Sequence, residues 1–262
     1  VFSQKVAFPY EVITVDSGSA EETLGVLKRY PVRFHAIPPE TFNHGLTRDL
    51  GAGMAQAPVL VFLNQDAVPC DVDWLQALTL PLRESEEYAA VQAGARELPA
   101  GQKFFWDSCG ARFYFTRESE RWIARYDGIG FSTVCAAIRR SVWERFPFGY
   151  AEMMEDKKWQ KTIVDNGYRI LYLTDVAVYH SHNYDLPALI KRCENEGFGW
   201  RYVGEKYTVG SMLYDLLTPK KYAELVTGLW RREVRKPAEV LFPFLRPFLV
   251  FKGNRLNRGY RY

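Results

Sequence analysis

A chain of 262 residues, 47% of them hydrophobic and 25% charged, is long enough to bury one sizeable core and has the balance of an ordinary globular protein, which excludes wholesale disorder. No apolar run reaches the roughly 18 residues that a spanning helix needs, and no secretory signal opens the chain, so an integral membrane protein is not expected. The net charge of +3 hides an asymmetry: residues 219–262 hold eleven Lys or Arg against three Glu, a local +8 that leaves −5 for the rest.

In chain order, "YEVITVDSGSAEETLGVLKRY" reads as a β-branched strand over 11–15, a turn, and a helix whose capping box is Ser19 with Glu22. "VRFHAI" is a second strand. Over 44–56, Leu46, Leu50 and Met54 form one helical stripe, while Gly51, Ala52 and Ala55 keep a neighbouring face thin. The continuous apolar run "VLVFL" at 59–63 predicts a strand covered on both faces, followed by a helix that carries Trp74, Leu75 and Leu78. Residues 99–130, rich in aromatics and glycine, show no sustained period and predict a long loop or irregular hairpin. "CAAIRRSVWERFPF" gives a short strand and a helix; "EDKKWQKTIVDNGY" gives a helix opened by acids and stopped at Gly167. "RILYL" and "VAVYH" predict two short strands, and tail helices follow. Alternating strands and helices imply a mostly parallel sheet, in which ligands gather outside the carboxyl ends of the strands. The expected division is a domain over 1–185 and a helical, basic, aromatic extension over 186–262.

Several residues carry candidate chemistry. Asp66, two residues after Asn64, ends the strand "VLVFLNQD" as a relaxed DxD; magnesium and manganese take oxygen ligands and bridge one or two carboxylates to substrate phosphates, so one such Asp is a sufficient protein anchor. A turn or N-cap role, helped by Pro69, fits the same position. Asp16 ends the first strand, and with Ser19 as the cap its carboxylate is left spare. Arg48 lies off the apolar stripe and faces either a cleft or solvent. Glu155 and Asp156 open a helix, where the positive end of the dipole favours anions; the bland role is that dipole contact, the chemical one acceptance of a proton from an attacking hydroxyl. His180 and His182 end a strand at i, i+2 without an evident third ligand, so one histidine joining Asp66 on a single ion is more economical than a zinc pair. Four scattered cysteines, Cys70, Cys109, Cys135 and Cys193, form no CxxC pair and predict reduced thiols in a cytoplasmic setting.

Taken as an ordered set, "VDSGS", "FNHGLTRDLGA", "FLNQDAVP", "CAAIRRSVWERFPF", "EDKKW" and "NGYRILYLTDVAVYHSH" resemble the inverting family 2 glycosyltransferases, especially bacterial rhamnosyltransferase-like members. The resemblance runs from about Tyr10 to Tyr184 and fades in the tail. It implies an α/β GT-A fold: a Rossmann-like sheet flanked by helices, here with a helical basic C-terminal tail. It also implies site roles: Asp16 on the nucleotide base, Arg48 and Asn64 on the nucleotide, Asp66 on the metal at the DxD position, Asp156 as catalytic base and His180 completing the metal site. The cofactor implied is Mn2+ or Mg2+, and the acceptor side is expected to involve Glu155, Trp159 and the aromatic loop around Trp106 and Trp122. Asn64 replaces the first Asp of the usual pair. The family's first strand has no counterpart in this sequence, which begins at Val1, so further residues before Val1, or a structural substitute, are expected in the native protein.

The activity implied is transfer, with inversion, of a sugar from a nucleotide-diphosphate donor, dTDP-rhamnose first and UDP-hexoses next, to a hydroxyl of a glycan or lipid-linked acceptor in cell-envelope polysaccharide biosynthesis. A nucleotidyltransferase is the rival enzyme, although the sequence shows no Gly-rich basic phosphate loop, and a non-catalytic carbohydrate-binding scaffold is the non-enzymatic alternative. For the tail "VLFPFLRPFLVFKGNRLNRGYRY" two readings fit equally: a segment peripheral on the anionic inner face of the plasma membrane, or helices packed on the domain with a solvated basic face. No nucleic-acid module accompanies the charge.

Overall fold

The computed structural model describes residues 1–97, 104–108, 117–126, 128 and 130–255. Cys109, much of the aromatic stretch 99–130, and the last part of the tail with Arg258 and Arg261 lie outside the described residues.

The first elements are β1 (Val12–Asp16), α1 (Glu21–Leu27), β2 (Val32–Ala36), α2 (His44–Met54), β3 (Val59–Leu63), β4 (Val68–Pro69), α3 (Trp74–Glu84) and β5 (Tyr88–Arg96). Then come α4 (Phe105–Ser108), α5 (Arg117–Arg125), β6 (Cys135–Arg139), α6 (Arg140–Arg145), α7 (Glu155–Asp165) and β7 (Arg169–Tyr179). Four helices close the chain: α8 (Leu186–Tyr202), α9 (Val209–Leu217), α10 (Pro219–Trp230) and α11 (Pro237–Arg255).

The chain divides into two compact units: Val1–Gly94 with Phe131–Val178, and Ala95–Gly130 with Tyr179–Tyr262. The aromatic segment therefore groups with the C-terminal helices, which a single cut after residue 185 does not capture. In the first unit β1 and β2 pair in parallel, while a five-stranded sheet has the order β3-β6-β5-β7-β4. Both β3 and β5 run antiparallel to β6, so the sheet is mixed rather than mostly parallel. Sequence alternation could not reveal this, because β6 enters between two strands far earlier in the chain and its direction is a tertiary fact. Val91 of β5, Ala137 of β6 and Val178 of β7 are fully buried and join Leu78 and Leu82 of α3 in one cluster. Burying a Leu or Val of this kind contributes about 1.5–3 kcal/mol.

Four local expectations are corrected. Ala20, not Ser19, caps α1, and it makes no side-chain bond. Leu46 and Leu50 of α2 are exposed, whereas Gly45 and Ala52 are buried: the thin face is the packed one. A Cβ at Gly45 would collide with the carbonyl oxygen of Gly149, so backbone contact replaces side-chain packing there. The two short strands predicted near the end are one strand, β7, whose exposed Thr174 and Asp175 imitate a turn in the sequence. Within the presumed loop over 99–130 lies α5, whose buried residues Glu118, Ser119 and Trp122 are mostly polar and so give no apolar stripe.

In the second unit, Phe104, Phe105, Trp106, Leu189, Tyr207, Phe242 and Val250 form a separate aromatic core. There α8 and α11 lie so close that a Cβ at Gly197 or Gly253 would meet the other helix's backbone.

Candidate functional site

Helix α2 is fastened at its start. Asn43 caps it, the side-chain oxygen accepting from Leu46 N at 3.1 Å and from Ala151 N at 3.0 Å. One turn on, the Asp49 carboxylate accepts from Trp143 Nε1 at 2.7 Å, Phe148 N at 3.0 Å and Gly149 N at 2.7 Å. These bonds tie α2 to the loop that leads into α7, and so fix Arg48 against the start of that helix.

Arg48 is the junction of the site. Its Nη1 lies 3.1 Å from Glu155 Oε1 and donates to the His44 carbonyl at 3.2 Å, while Nη2 donates to Asn64 Oδ1 at 3.4 Å. One guanidinium thus bridges the tip of β3, two residues before Asp66, to the residue beside Asp156. Glu155 is buried and also accepts from Thr133 Oγ1 at 3.3 Å. Burial, reinforced by the neighbouring Asp156 charge and opposed by Arg48, pushes its carboxyl above the usual range.

Asp156 keeps 17% of its side-chain exposure. Its Oδ1 accepts from Lys157 N at 2.7 Å, and the Lys157 ammonium stands 3.7 Å from Oδ2 while also donating to the Phe131 carbonyl. The residue that caps the helix before this pair, Met154, has φ 53° and ψ 34°, a left-handed conformation that costs a non-glycine residue about 1 to 2 kcal/mol and gathers at functional positions. His44 belongs to the same group. Burial, with the Arg48 charge, pushes its imidazole down to about 4 against the pull of Asp156, so it presents a neutral ring near that acid. Sequence reading passed over His44, although its place one turn before Arg48 in "FNHGLTRDLGA" was a usable signal.

The structure treats the other predicted residues differently. Asp66 is exposed at the end of β3, in the same unit as Asn64, Arg48 and Asp156. Asp16 is not spare: its carboxylate accepts from Gly18 N at 3.1 Å and Ser19 N at 3.2 Å, and the Ser19 contact with these backbone bonds holds it below the usual carboxylate range. It is still partly open at a strand end. His180 belongs to the second unit, where its backbone N–H donates to the Arg96 carbonyl and its ring meets His182 edge-on at 4.7 Å. Among the described residues no group of three or more His, Cys, Asp or Glu side chains gathers around a point.

The aromatic acceptor expectations are corrected. Trp106 is fully buried, its Nε1 donating to the Glu239 carbonyl at 2.7 Å. Trp159 packs between Phe131 and Phe148 and donates to the Phe146 carbonyl, and Trp122 is buried against Trp200. None offers a face on which a sugar ring can stack. Glu155 is buried and held by Arg48 and Thr133.

Comparison with known proteins shows the family and the fold. The chain is 31% identical over 192 residues to the O-antigen chain rhamnosyltransferase RfbN of Salmonella typhimurium, covering 69% of this chain and 60% of that protein. It is also 31% identical over 193 residues to the O-antigen chain rhamnosyltransferase WbaN of Salmonella anatum, covering 70% of this chain and 60% of the relative. The chain therefore spans about three fifths of the length of these relatives. Among solved structures, the mannosyltransferase PcManGT of Pyrobaculum calidifontis, in complex with GDP-Man and Mn2+, aligns with a TM-score of 0.58 at 18% identity over 96% of this chain and 79% of that one. Glucosyl-3-phosphoglycerate synthase of Mycobacterium tuberculosis, in complex with Mn2+, UDP and phosphoglyceric acid, aligns with a TM-score of 0.56 at 16% identity over 74% of this chain and 68% of that one. At such identities the structures establish the fold, which is GT-A. Residues 4–199 match glycosyltransferase like family 2, and with three quarters of its length inside that match the chain belongs to this family.

Proposed function

We propose that the chain transfers a sugar from a nucleotide-diphosphate donor to a hydroxyl of a glycan or lipid-linked glycan, by one displacement with inversion. The observation that carries this reading is the Asn64–Arg48–Glu155 chain, which couples the strand tip bearing Asp66 to the helix start bearing Asp156. In the proposed step Asp156 takes the proton of the acceptor hydroxyl. The acceptor oxygen bonds to the anomeric carbon as the bond from that carbon to the diphosphate breaks, and the nucleoside diphosphate leaves as an anion that needs no proton. One carboxylate suffices, unlike the pair that glycoside hydrolases use. Lys157 balances the charge of Asp156, and Arg48 holds the two segments in register. In this reading Asp16 meets the nucleotide base and Asn64, with Arg48, the nucleotide, the roles that the resemblance implies.

The exposed carboxylate of Asp66 suits a hard divalent cation, for which it would be one oxygen anchor. Mn2+ or Mg2+ bound there supplies Lewis-acid stabilisation of charge on the departing diphosphate. The Mn2+ and nucleotides named for the two solved neighbours support a metal-bound nucleotide here, and the activity named for the two Salmonella relatives supports a rhamnose donor; dTDP-rhamnose, which the sequence resemblance implies, is the first to try. Nothing in the site favours nucleotidyl transfer or a non-catalytic scaffold.

Two variants assayed together test the reading. Asp156→Asn should abolish sugar transfer while nucleotide affinity, measured by calorimetry, stays near wild type. Asp66→Ala should lose the manganese-dependent part of nucleotide affinity. Transfer by Asp156→Asn at near wild-type rate removes the base assignment, and unchanged affinity in Asp66→Ala removes the metal assignment.

A further inference from the structure

Helix α11 is apolar on two faces. One is settled: Ala238, Phe242, Arg246, Val250 and Asn254, four residues apart in turn, are buried, and the close backbones at Gly197 and Gly253 seat this face on α8. The other carries Leu241, Phe244 and Phe248 at i, i+3 and i+7, with the two phenylalanines 43% and 48% exposed. A helix at a protein surface ordinarily turns charged or polar residues outward, and one that is apolar all round is normally covered all round. The stripe also continues on a neighbour. Tyr222 of α10 packs on Phe244 with ring centroids 5.4 Å apart, and its hydroxyl donates to the Leu216 carbonyl of α9. From Tyr222 the same side of α10 runs on at i+4 and i+8 to Val226 and Trp230, which are 65% and 83% exposed.

Charge selects what covers this face. Lys220 opens α10, and Arg231, Arg232 and Arg235 follow Trp230, all exposed; Arg255 ends α11 exposed, while the Lys252 ammonium is paired with Glu194 of α8. Of the three Glu in 219–262, Glu239 is buried, where its carboxylate takes the backbone N–H groups of Phe105, Arg235 and Lys236. Arg246 is buried as well, against Glu196, so the solvent side keeps the basic excess that composition gives the segment. A second copy docked through this face would set the basic rim against itself, since a two-fold contact brings each residue's own neighbourhood together. An anionic lipid surface suits both features: headgroups for the rim, and the upper acyl region for the rings. Among the described residues no helix is long and apolar enough to cross a membrane, so contact at the interface is the geometry available to these helices.

We infer that the outer face of α10 and α11, centred on Tyr222, Phe244, Phe248 and Trp230, docks on an anionic lipid bilayer. This goes beyond the transfer reading and is tested without donor or acceptor, so the two stand or fall separately. The full chain is sedimented with vesicles of phosphatidylcholine alone and of phosphatidylcholine mixed with phosphatidylglycerol. Wild-type protein should pellet with the anionic vesicles and be released by high salt. Trp230→Ala, whose side chain lies outside the core, and Phe248→Ser should each weaken binding about tenfold, the order expected for one large apolar side chain withdrawn from lipid. Arg231→Glu with Arg232→Glu should weaken it at low salt only. Circular dichroism of each variant guards against misfolding. The inference is overturned if wild type stays in the supernatant with anionic vesicles, or if it pellets equally with both vesicle types and the variants change nothing. It is also overturned if light scattering shows a dimer that Phe244→Asp splits, because the face then belongs to a second copy.

Discussion

Among the described residues both units bury an ion pair, and that of the first unit borders a partly exposed carboxylate, Asp156. There the Arg48–Glu155 pair keeps a partly exposed guanidinium, borders Asp156, and follows a strained left-handed residue. In the second unit, Arg246 donates to Glu196 at 2.7 and 3.3 Å with both partners deeply buried, Tyr207 donates to Asp215, and Glu118 accepts from Ser211. A buried charge by itself therefore does not mark a site in this protein. In the proposed reading, strain and a neighbouring partly open acid separate the pair given a chemical role from the one given a structural role.

The strongest way to break that contrast is to unpair each network. Glu196→Ala leaves the Arg246 guanidinium in the core without its main counter-charge, a change that costs about 3 to 5 kcal/mol for a buried pair. Urea unfolding should show that loss, and the double replacement Glu196→Leu with Arg246→Met should recover much of it. Molecules of Glu196→Ala that remain folded should still transfer sugar. If their activity per folded molecule collapses, the second network is not merely structural. Arg48→Ala should cost less, about 2 kcal/mol, because the guanidinium is partly exposed while the Glu155 left behind is buried. Its transfer rate should nevertheless fall further than its stability, since the link from Asn64 to Glu155 is cut. Equal effects on activity and stability would erase the distinction between the two pairs.

The sequence made the two regions unequally readable. Val59–Leu63, a run of five apolar residues, is a strand as expected but lies at the sheet edge with only Leu60 buried, so it is not covered on both faces; the acids of "EDKKW" did open a helix. The residues at the heart of the first unit's site were visible one at a time, yet Arg48, Asn64 and Glu155 are brought together by bonds across 16 and 107 positions, and no spacing rule announces such a junction. Hydropathy misjudged α2, because glycine packing through backbone contact has no apolar signature, and missed α5, because its buried face is built from Glu118, Ser119 and Trp122. The aromatic residues of 104–106 looked like a binding loop for the same reason that they make a good core: large flat side chains serve either purpose, and only burial decides.

Glu118 gives the smallest effect and sharpens the contrast from the other side. Its side chain is fully buried, Oε1 accepts from Ser211 and lies 3.9 Å from Arg121, and Oε2 has no hydrogen-bond partner among the described residues. Burial pushes its carboxyl up, the nearby Asp215 charge adds to this, and Ser211 and Arg121 oppose it. A raised carboxyl makes the folded state prefer the proton. The stability that this supplies is complete below the ordinary value of 4.5 and is lost as pH rises through the raised value. Glu118→Gln carries a permanently neutral group of similar shape, so its unfolding free energy should fall less steeply than wild type as pH rises from 4.5 toward neutrality, with Glu155 contributing to both proteins alike. Parallel curves across that window would mean that Glu118 is already charged in the fold. The second unit would then hold an ionised carboxylate oxygen unpaired in its interior, and the structural reading of its network would fail.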